Sequence, residues 1–263
     1  MEIKFYKYHG TGNDFILIDN RKGLFNLQND QIALLCDRRF GIGADGLMLL
    51  SASKDFDFEM KYFNANGLEG TMCGNGGRCI IAFAKSLGII DNQSKFRAID
   101  GTHESKILSE SGNETYISLK MKDVDNIKIY DDYFLINTGS PHYIKFVNDI
   151  EQIDIYNEGK RIRWDNKFQP EGTNVNFVEL KEDHLIVRTY ERGVENVTLS
   201  CGTGVTASAL AASLIQKNST GYFNIKTNGG NLTVRFIKKL EKFTDIWLEG
   251  AAVKIFEGVI EVK

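Results

Sequence analysis

The chain has 263 residues, 42% apolar and 25% charged, with a formal net charge of -3. That is an ordinary globular composition, with core material for one large domain or two of common size. It carries no basic footprint for nucleic acid or an anionic membrane. The opening residues MEIKFYKYHG lack the apolar stretch of a signal peptide, and no segment approaches the ~20 apolar residues of a membrane span, so the expected location is the cytoplasm.

Taken in chain order, YHGTGNDFILID reads as strand, glycine turn and strand. RRFGIGADGLMLL adds an apolar strand and FDFEMKYFNANG an alternating one. The segment CIIAFAKSLG then places Ile80, Ile81, Ala84 and Leu87 at helical spacing and stops at Gly88. FRAIDGTH is a strand and a turn. The same series then runs again through LINTGSPHYIKFV, NKFQPEGTNVNFVEL, DHLIVRTYERG, the helical GVTASALAASLIQKN and FNIKTNGG. In that second helix Val205, Ala209, Ala212 and Ile215 share the apolar face, alanine suits tight burial, and the stop is expected between Asn218 and Gly221.

The anchors of the two series are collinear. Gly12 and Gly139 stand 127 residues apart, while Phe40 and Phe168, Cys73 and Cys201, and Gly101 and Gly229 each stand 128 apart. A constant offset over this many anchors indicates two half-molecules of one topology. Only Pro141 and Pro170 interrupt the chain, which suits antiparallel strands turning on glycine and asparagine. The expected fold class is α+β: two pseudo-symmetric lobes, each a curved, mostly antiparallel sheet wrapped round a central helix. The first lobe is expected over residues 1–120 and the second over 121–254, with the terminal strand 255–263 available to complete the first. Two like lobes facing across a cleft would offer a place for a small ligand.

Cys36, Cys73, Cys79 and Cys201 fit no disulfide framework in a chain this long, and no CxxC is present. His9, His103, His142 and His184 are scattered, so zinc and iron–sulfur ligation lack their spacing. Reduced thiols are expected, and the ordinary role of such a cysteine is a small core residue. Two of them differ in setting: EGTMCGNGGRC and NVTLSCGTGVTA each place a thiol immediately before Gly-x-Gly and a helix. Unpaired N–H groups and the helix dipole there favour a thiolate and can receive an anion.

Four readings compete for the pair. They are buried structural cysteines, a phosphate loop, a dithiol redox pair, or two acid/base groups acting on one substrate. The phosphate reading lacks GxxxxGK[ST] and a GxGxxG with its ribose-binding acid; the redox reading lacks CxxC. Inverting a carbon needs a base on one face and an acid on the other, and a thiolate with a thiol supplies both in either direction. Two helix N-termini would hold an α-carboxylate while carbanionic charge spreads into it. That scheme demands no cofactor.

At these residues the chain resembles the diaminopimelate epimerase family along essentially its whole length. The motifs are HGTGNDF, RRFGIGADGL, FNANGLEGTMCGNGGRC, GSPH, GTNVNF and YERGVENVTLSCGTG, in that order. The resemblance implies a pyridoxal-phosphate-independent epimerase that interconverts LL- and meso-diaminopimelate for lysine and peptidoglycan synthesis, with no cofactor and no metal. It implies that Cys73 and Cys201 are the catalytic acid/base pair and that Gly74, Asn75, Gly202 and Thr203 hold the reacting α-carboxylate. It implies that Asn13, Asn64, Asn174, Glu191 and Arg192 recognise the rest of the substrate, and that His142 lies behind one catalytic cysteine. Cys36 and Cys79 match nothing catalytic.

Three positions depart from the commonest family pattern: Ser140 stands where Asn is frequent, Gly46 where Gln occurs, and Met72 where a polar residue precedes the first cysteine. The expected partner is a small-molecule substrate, with neither nucleic acid nor membrane; the oligomeric state is left open, a homodimer being one candidate. The rival enzyme is a proline or hydroxyproline racemase, which typically has His where this chain has Asn75 and whose substrates lack a distal amino-acid end. The rival from another class is a noncatalytic amino-acid binding protein, which has no use for two matched thiols.

Overall fold

A computed structural model describes residues 2–71, 73–216, 221–240 and 242–262. The chain divides into two compact units, residues 1–119 with 250–263, and residues 120–249. The crossing back into the first unit at residue 250 lies inside one continuous strand, whereas the sequence pattern suggests it five residues later.

In the first unit, β1 (Glu2–Gly10) and β2 (Asn13–Asp19) form a hairpin. Thr11 and Gly12 fill its two-residue turn with φ of 48° and 85°, the left-handed pair that matches strand twist in such hairpins. Helix α1 (Asn29–Cys36) carries the chain across to β3 (Gly46–Ser51), which therefore pairs with β2 in parallel. Then come β4 (Phe58–Asn64), β5 (Glu69–Gly70) and α2 (Gly74–Ser86). After α2 come β6 (Gln93–Ala98), β7 (Gly101–Ser111) and β8 (Glu114–Lys120).

Strand pairings run β1, β2, β3, β4, β6, β7, β8. The end of the last strand of the chain, through Ala251–Glu261, closes this series by pairing with both β8 and β1. The parallel steps fall where a helix crosses over, at β2–β3 and β4–β6; the other pairings of this unit are antiparallel. Strand β3 is an unbroken buried run because both its faces are covered. Leu47 and Leu49 join the cluster under α1 with Ile16, Ile18, Ile32 and Leu35, while Met48 lies against α2.

Helix α2 packs on β1, β2 and β3. Ile80, Ile81 and Phe83 on it are wholly buried, each contributing about 1.5–3 kcal/mol. It ends as its sequence directs, with Gly88 at φ 68° just beyond the C-cap Leu87.

The second unit repeats the series. It contains β9 (Ile127–Ile129), β10 (Phe134–Asn137), β11 (Pro141–Val147), α3 (Ile155–Arg163), β12 (Asn174–Leu180) and β13 (Leu185–Glu191). These lead to β14 (Asn196–Thr198), α4 (Gly202–Ile215), β15 (Tyr222–Thr227), β16 (Gly230–Lys239) and β17 (Lys242–Glu261), whose later part belongs to the first unit. Here β11–β12 and β13–β15 are the parallel steps, again across α3 and α4.

Two details of the sequence pattern are corrected. By strand register Gly101 corresponds to Gly230 rather than Gly229, since Ala98 pairs Gly101 as Thr227 pairs Gly230. Ile215 is 45% exposed, at the last residue of α4. The rest of that face holds: α4 packs on β10, β11, β12, β13, β15 and β16, and Val205, Ala209 and Ala212 are wholly buried. The expected stop after Ile215 falls largely on residues 217–220, outside the described residues. No described helix is long and apolar enough to cross a membrane.

Candidate active site

Each cysteine that precedes Gly-x-Gly caps a helix. Cys73 is the N-cap of α2 with extended backbone (φ -109°, ψ 152°), and the Gly76 N–H donates to its Sγ at 3.2 Å. Cys201 is the N-cap of α4 (φ -122°, ψ 110°) and has no such capping bond; its Sγ lies 3.5 Å from Thr203 Oγ1. Glycine before the first turn is complete lets the thiol and the free N–H groups share one side of each helix mouth. Cys36 and Cys79 are buried elsewhere in the core, and burial pushes both thiols up, Cys36 to about 11. Both stay protonated at neutral pH.

In the first unit Asn75 organises the mouth of α2. Its Oδ1 accepts from Thr11 Oγ1 at 3.1 Å and from Arg78 Nη2 at 3.0 Å, and its Nδ2 donates to Asn13 Oδ1 at 3.4 Å. That same Asn13 oxygen lies 3.9 Å from the Cys73 sulfur. Asn13 is oriented from behind, its Nδ2 donating to Asp45 Oδ2 at 2.7 Å. Asp45 is fixed in turn by Arg38, which also pairs with Asp14. Burial pushes Asp14 up, but hydrogen bonds from Arg38 and Lys7 outweigh it and hold the carboxyl far below its ordinary range. Asn64 ends β4 opposite Gly46, which is opposite Phe15, so Asn13 and Asn64 stand at the same end of β2 and β4, the two strands that flank β3. Gly46 is close-packed: a Cβ there would lie 2.5 Å from the Tyr62 ring, so this chain requires glycine at that position. Met72 lies outside the described residues.

In the second unit the floor beneath α4 is polar. Asn176 Oδ1 accepts from Thr189 Oγ1 at 2.9 Å, and its Nδ2 donates to the Tyr143 carbonyl at 3.0 Å and to His142 Nδ1 at 3.1 Å. A Cβ on Gly204 would lie 2.4 Å from Asn176 Oδ1, so helix and floor touch. Burial, with the Arg192 charge adding to it, pushes His142 down to about 3. The imidazole is neutral, its proton placed on Nε2 by the bond at Nδ1, and Nε2 has no hydrogen-bond partner among the described residues. Thr138 Oγ1 donates to the Thr203 carbonyl at 2.9 Å and pins the first turn of α4.

The amide of Asn174 ties three segments: Nδ2 donates to Ser140 Oγ (2.9 Å) and the Pro141 carbonyl (3.2 Å), and Oδ1 accepts the Arg192 N–H at 2.9 Å. Arg192 Nη1 donates to the Glu171 carbonyl at 2.7 Å. Glu191, at the end of β13, pairs with Asn196 across a turn held by Glu195, which takes the Gly193 N–H and Arg163.

The structure thus brings Asn13, Cys73, Gly74 and Asn75 together in one unit, with Asn64 at the neighbouring strand end. In the other, His142, Asn174 and Arg192 lie together, and Asn176 links His142 to the underside of α4, whose first turn carries Cys201, Gly202 and Thr203. Sequence reasoning passed over Thr11, Asp45, Arg78, Asn176 and Thr189. Of these Asn176 carried a signal: two residues beyond Asn174 on a strand, it must share that residue's face.

Two repeated α+β units, each presenting a cysteine at the mouth of a buried helix, define the class of protein. The fold is that of a Bacillus anthracis phenazine biosynthesis protein of the PhzF family (TM-score 0.77, 16% identity, all of both chains). It is also that of a hydroxyproline epimerase from Agrobacterium vitis solved with trans-4-hydroxy-L-proline (TM-score 0.71, 13% identity, 98% of this chain and 92% of that one). Sequence is more specific. The diaminopimelate epimerase family pattern matches residues 5–124 and 134–255. Diaminopimelate epimerase of Flavobacterium psychrophilum is 48% identical over 98% of this chain and 100% of its own, and that of Chlorobaculum tepidum 43% over 95% and 98%. The chain belongs to the diaminopimelate epimerase family and is an isomerase.

Proposed function

We propose that the protein interconverts LL- and meso-diaminopimelate without a cofactor, through a thiolate and a thiol supplied by Cys73 and Cys201, and that its product serves lysine and peptidoglycan synthesis in the cytoplasm. One observation carries this reading: each of two units of like topology caps a largely buried helix with a cysteine, in a chain of this family. One thiolate removes the α-hydrogen and the other thiol delivers a proton to the opposite face, so the configuration inverts and the protonation states of the two sulfurs exchange.

The N–H groups at Gly74, Asn75, Gly202 and Thr203 receive the α-carboxylate as charge spreads into it. Asn13, Asn64, Asn174, Glu191 and Arg192 serve the rest of the substrate: a guanidinium grips a carboxylate, a carboxylate takes an ammonium, and amides serve either. His142, neutral and with Nε2–H lacking a partner among the described residues, tunes a thiolate as a hydrogen-bond donor rather than as a base.

The test is incubation of reduced protein with LL-diaminopimelate in D2O, with L-proline and trans-4-hydroxy-L-proline in parallel. Deuterium entering the α-position together with the meso form, for diaminopimelate alone and with no added cofactor, is the expected result. Turnover of proline or hydroxyproline alone overturns the substrate, and folded protein inert to all three overturns the chemistry.

A further inference from the structure

Arg78 is wholly buried, and no carboxylate contacts it among the described residues. Its guanidinium donates instead to neutral oxygens: Nη1 to the Gly74 carbonyl (3.1 Å), Nη2 to Asn75 Oδ1 (3.0 Å) and Thr11 Oγ1 (3.4 Å), Nε to the Ala251 carbonyl (3.5 Å). Such a placement breaks two rules. A buried cation calls for a partner charge, and the helix dipole disfavours a cation this near an N-terminus. Rules broken without visible compensation mark functional positions. An anion at the mouth of α2 is the compensation that is missing, and the Cys73 thiolate would supply it.

The second unit sharpens this. Thr206, 128 residues further on, makes the matching bond, its Oγ1 donating to the Gly202 carbonyl at 2.9 Å, but it brings no charge. Cys73 also receives the Gly76 N–H, whereas the sulfur of Cys201 lies against the Thr203 hydroxyl at 3.5 Å. Resting on the two-thiol reading above, we propose that Arg78 is a positioning residue of the reaction, which holds Gly74 and Asn75 in place and makes Cys73, rather than Cys201, the thiolate of the resting enzyme. The charge acts through space on Cys73, the bond to the Gly74 carbonyl holds the first turn of α2, and the bond to Asn75 Oδ1 acts through that amide on Asn13.

The other titratable groups around the guanidinium are Cys79 on α2 itself and Tyr116 on β8, with burial drawing Arg78 down and Cys79, Cys73 and Tyr116 drawing it up. Asp14 on β2 is neutralised by Lys7 on β1 and by Arg38.

The experiment is iodoacetamide alkylation of the intact protein across pH, each thiol followed separately by peptide mass spectrometry. The wild-type protein, Arg78→Gln and Arg78→Lys are compared, with kcat and KM for LL-diaminopimelate measured alongside. In the wild type Cys73 is expected to react at a lower pH than Cys201. Arg78→Gln is expected to raise the Cys73 midpoint by about one unit or more, the usual effect of one adjacent cation, and to leave that of Cys201 in place. Arg78→Lys keeps the Cys73 midpoint but raises KM severalfold, because a point charge does not reproduce the fork on Gly74 and Asn75.

Equal midpoints in the wild type, or Cys201 the more acidic, overturn the proposal even where no neutral variant folds. An unmoved Cys73 midpoint in folded Arg78→Gln overturns it too, as does an equal shift of both thiols, which a general loosening would give. Wild-type protein that alkylates as expected but fails to epimerise diaminopimelate defeats the functional reading and not this one.

Discussion

The two helix mouths use the same backbone device with different chemistry beneath it. At positions 128 residues apart, Gly76 lies over Met48 and Gly204 over Asn176, Asn75 answers to Thr203, and Arg78 to Thr206. The first mouth is set on an apolar floor with a buried cation; the second on a polar floor of Asn176 and neutral His142. Under the proposed two-thiol chemistry, backbone likeness lets either sulfur serve as acid or as base. Side-chain difference is what two identical thiols need if one is to rest charged and the other protonated.

The largest effect tests the likeness. Replacing either Cys73 or Cys201 by Ala is expected to lower epimerisation by about 10²–10⁴-fold, the usual worth of a general acid or base, with the melting temperature little changed. A variant that keeps a tenth of wild-type turnover would break the pairing of the two units.

The difference in floors is tested next, by stability. In Gly204→Ala the new Cβ meets Asn176 Oδ1 at 2.4 Å, and Asn176 is held by three hydrogen bonds and cannot yield, so a loss of about 1–3 kcal/mol is expected in urea unfolding. In Gly76→Ala the contacts are Cys73 Sγ and the flexible Met48 side chain at 3.3 Å, and the change should cost less than about 1 kcal/mol. The opposite order would mean that the second floor is the softer one.

His142 gives a pH signature that belongs to the second unit. Its folded value of about 3 lies below its ordinary 6.5, so between those values the unfolded chain binds the extra proton. The stability it contributes is complete above 6.5 and is lost as pH falls toward 3, by about 2 kcal/mol between pH 7 and pH 5. His142→Gln should lose about that much less than wild type over the same interval, read from urea midpoints at the two pH values. Parallel losses in both proteins would show that the imidazole charges freely in the fold.

The last comparison concerns substrate recognition. Arg192 lies 128 residues beyond the neutral Asn64, so the second unit alone brings a guanidinium to that position. Arg192→Ala is expected to lower kcat/KM by about 10- to 100-fold, with KM raised and kcat lowered too, since remote binding positions the reacting carbon. Asn64→Ala should cost less. A larger loss at Asn64 would reverse the division of labour.

Much of this molecule follows from spacing alone. The glycines at 12 and 88, the helical period from Ile80 to Ala84 and the thiols before Gly-x-Gly are local signals, read within one turn or one hairpin, and local geometry honoured them. The offset between the halves is a global signal, yet it too is written in order along the chain, and the pairings β2–β3 with β11–β12 and β4–β6 with β13–β15 repeat it.

What the order of residues could not display is which side chain ends beneath which helix. Helix α4 is apolar on every side, so periodicity misjudged its last residue, Ile215, and only the covering strands decide where burial stops. Arg78 looks like any arginine near a helix start, and Asp45 like any acid in a glycine-rich turn. Their roles arise from contacts across 67 and 32 residues, to Thr11 and to Asn13. Buried charge and orphaned hydrogen-bonding capacity are properties of an enclosed space, and that space exists only once the sheet has closed around the helix.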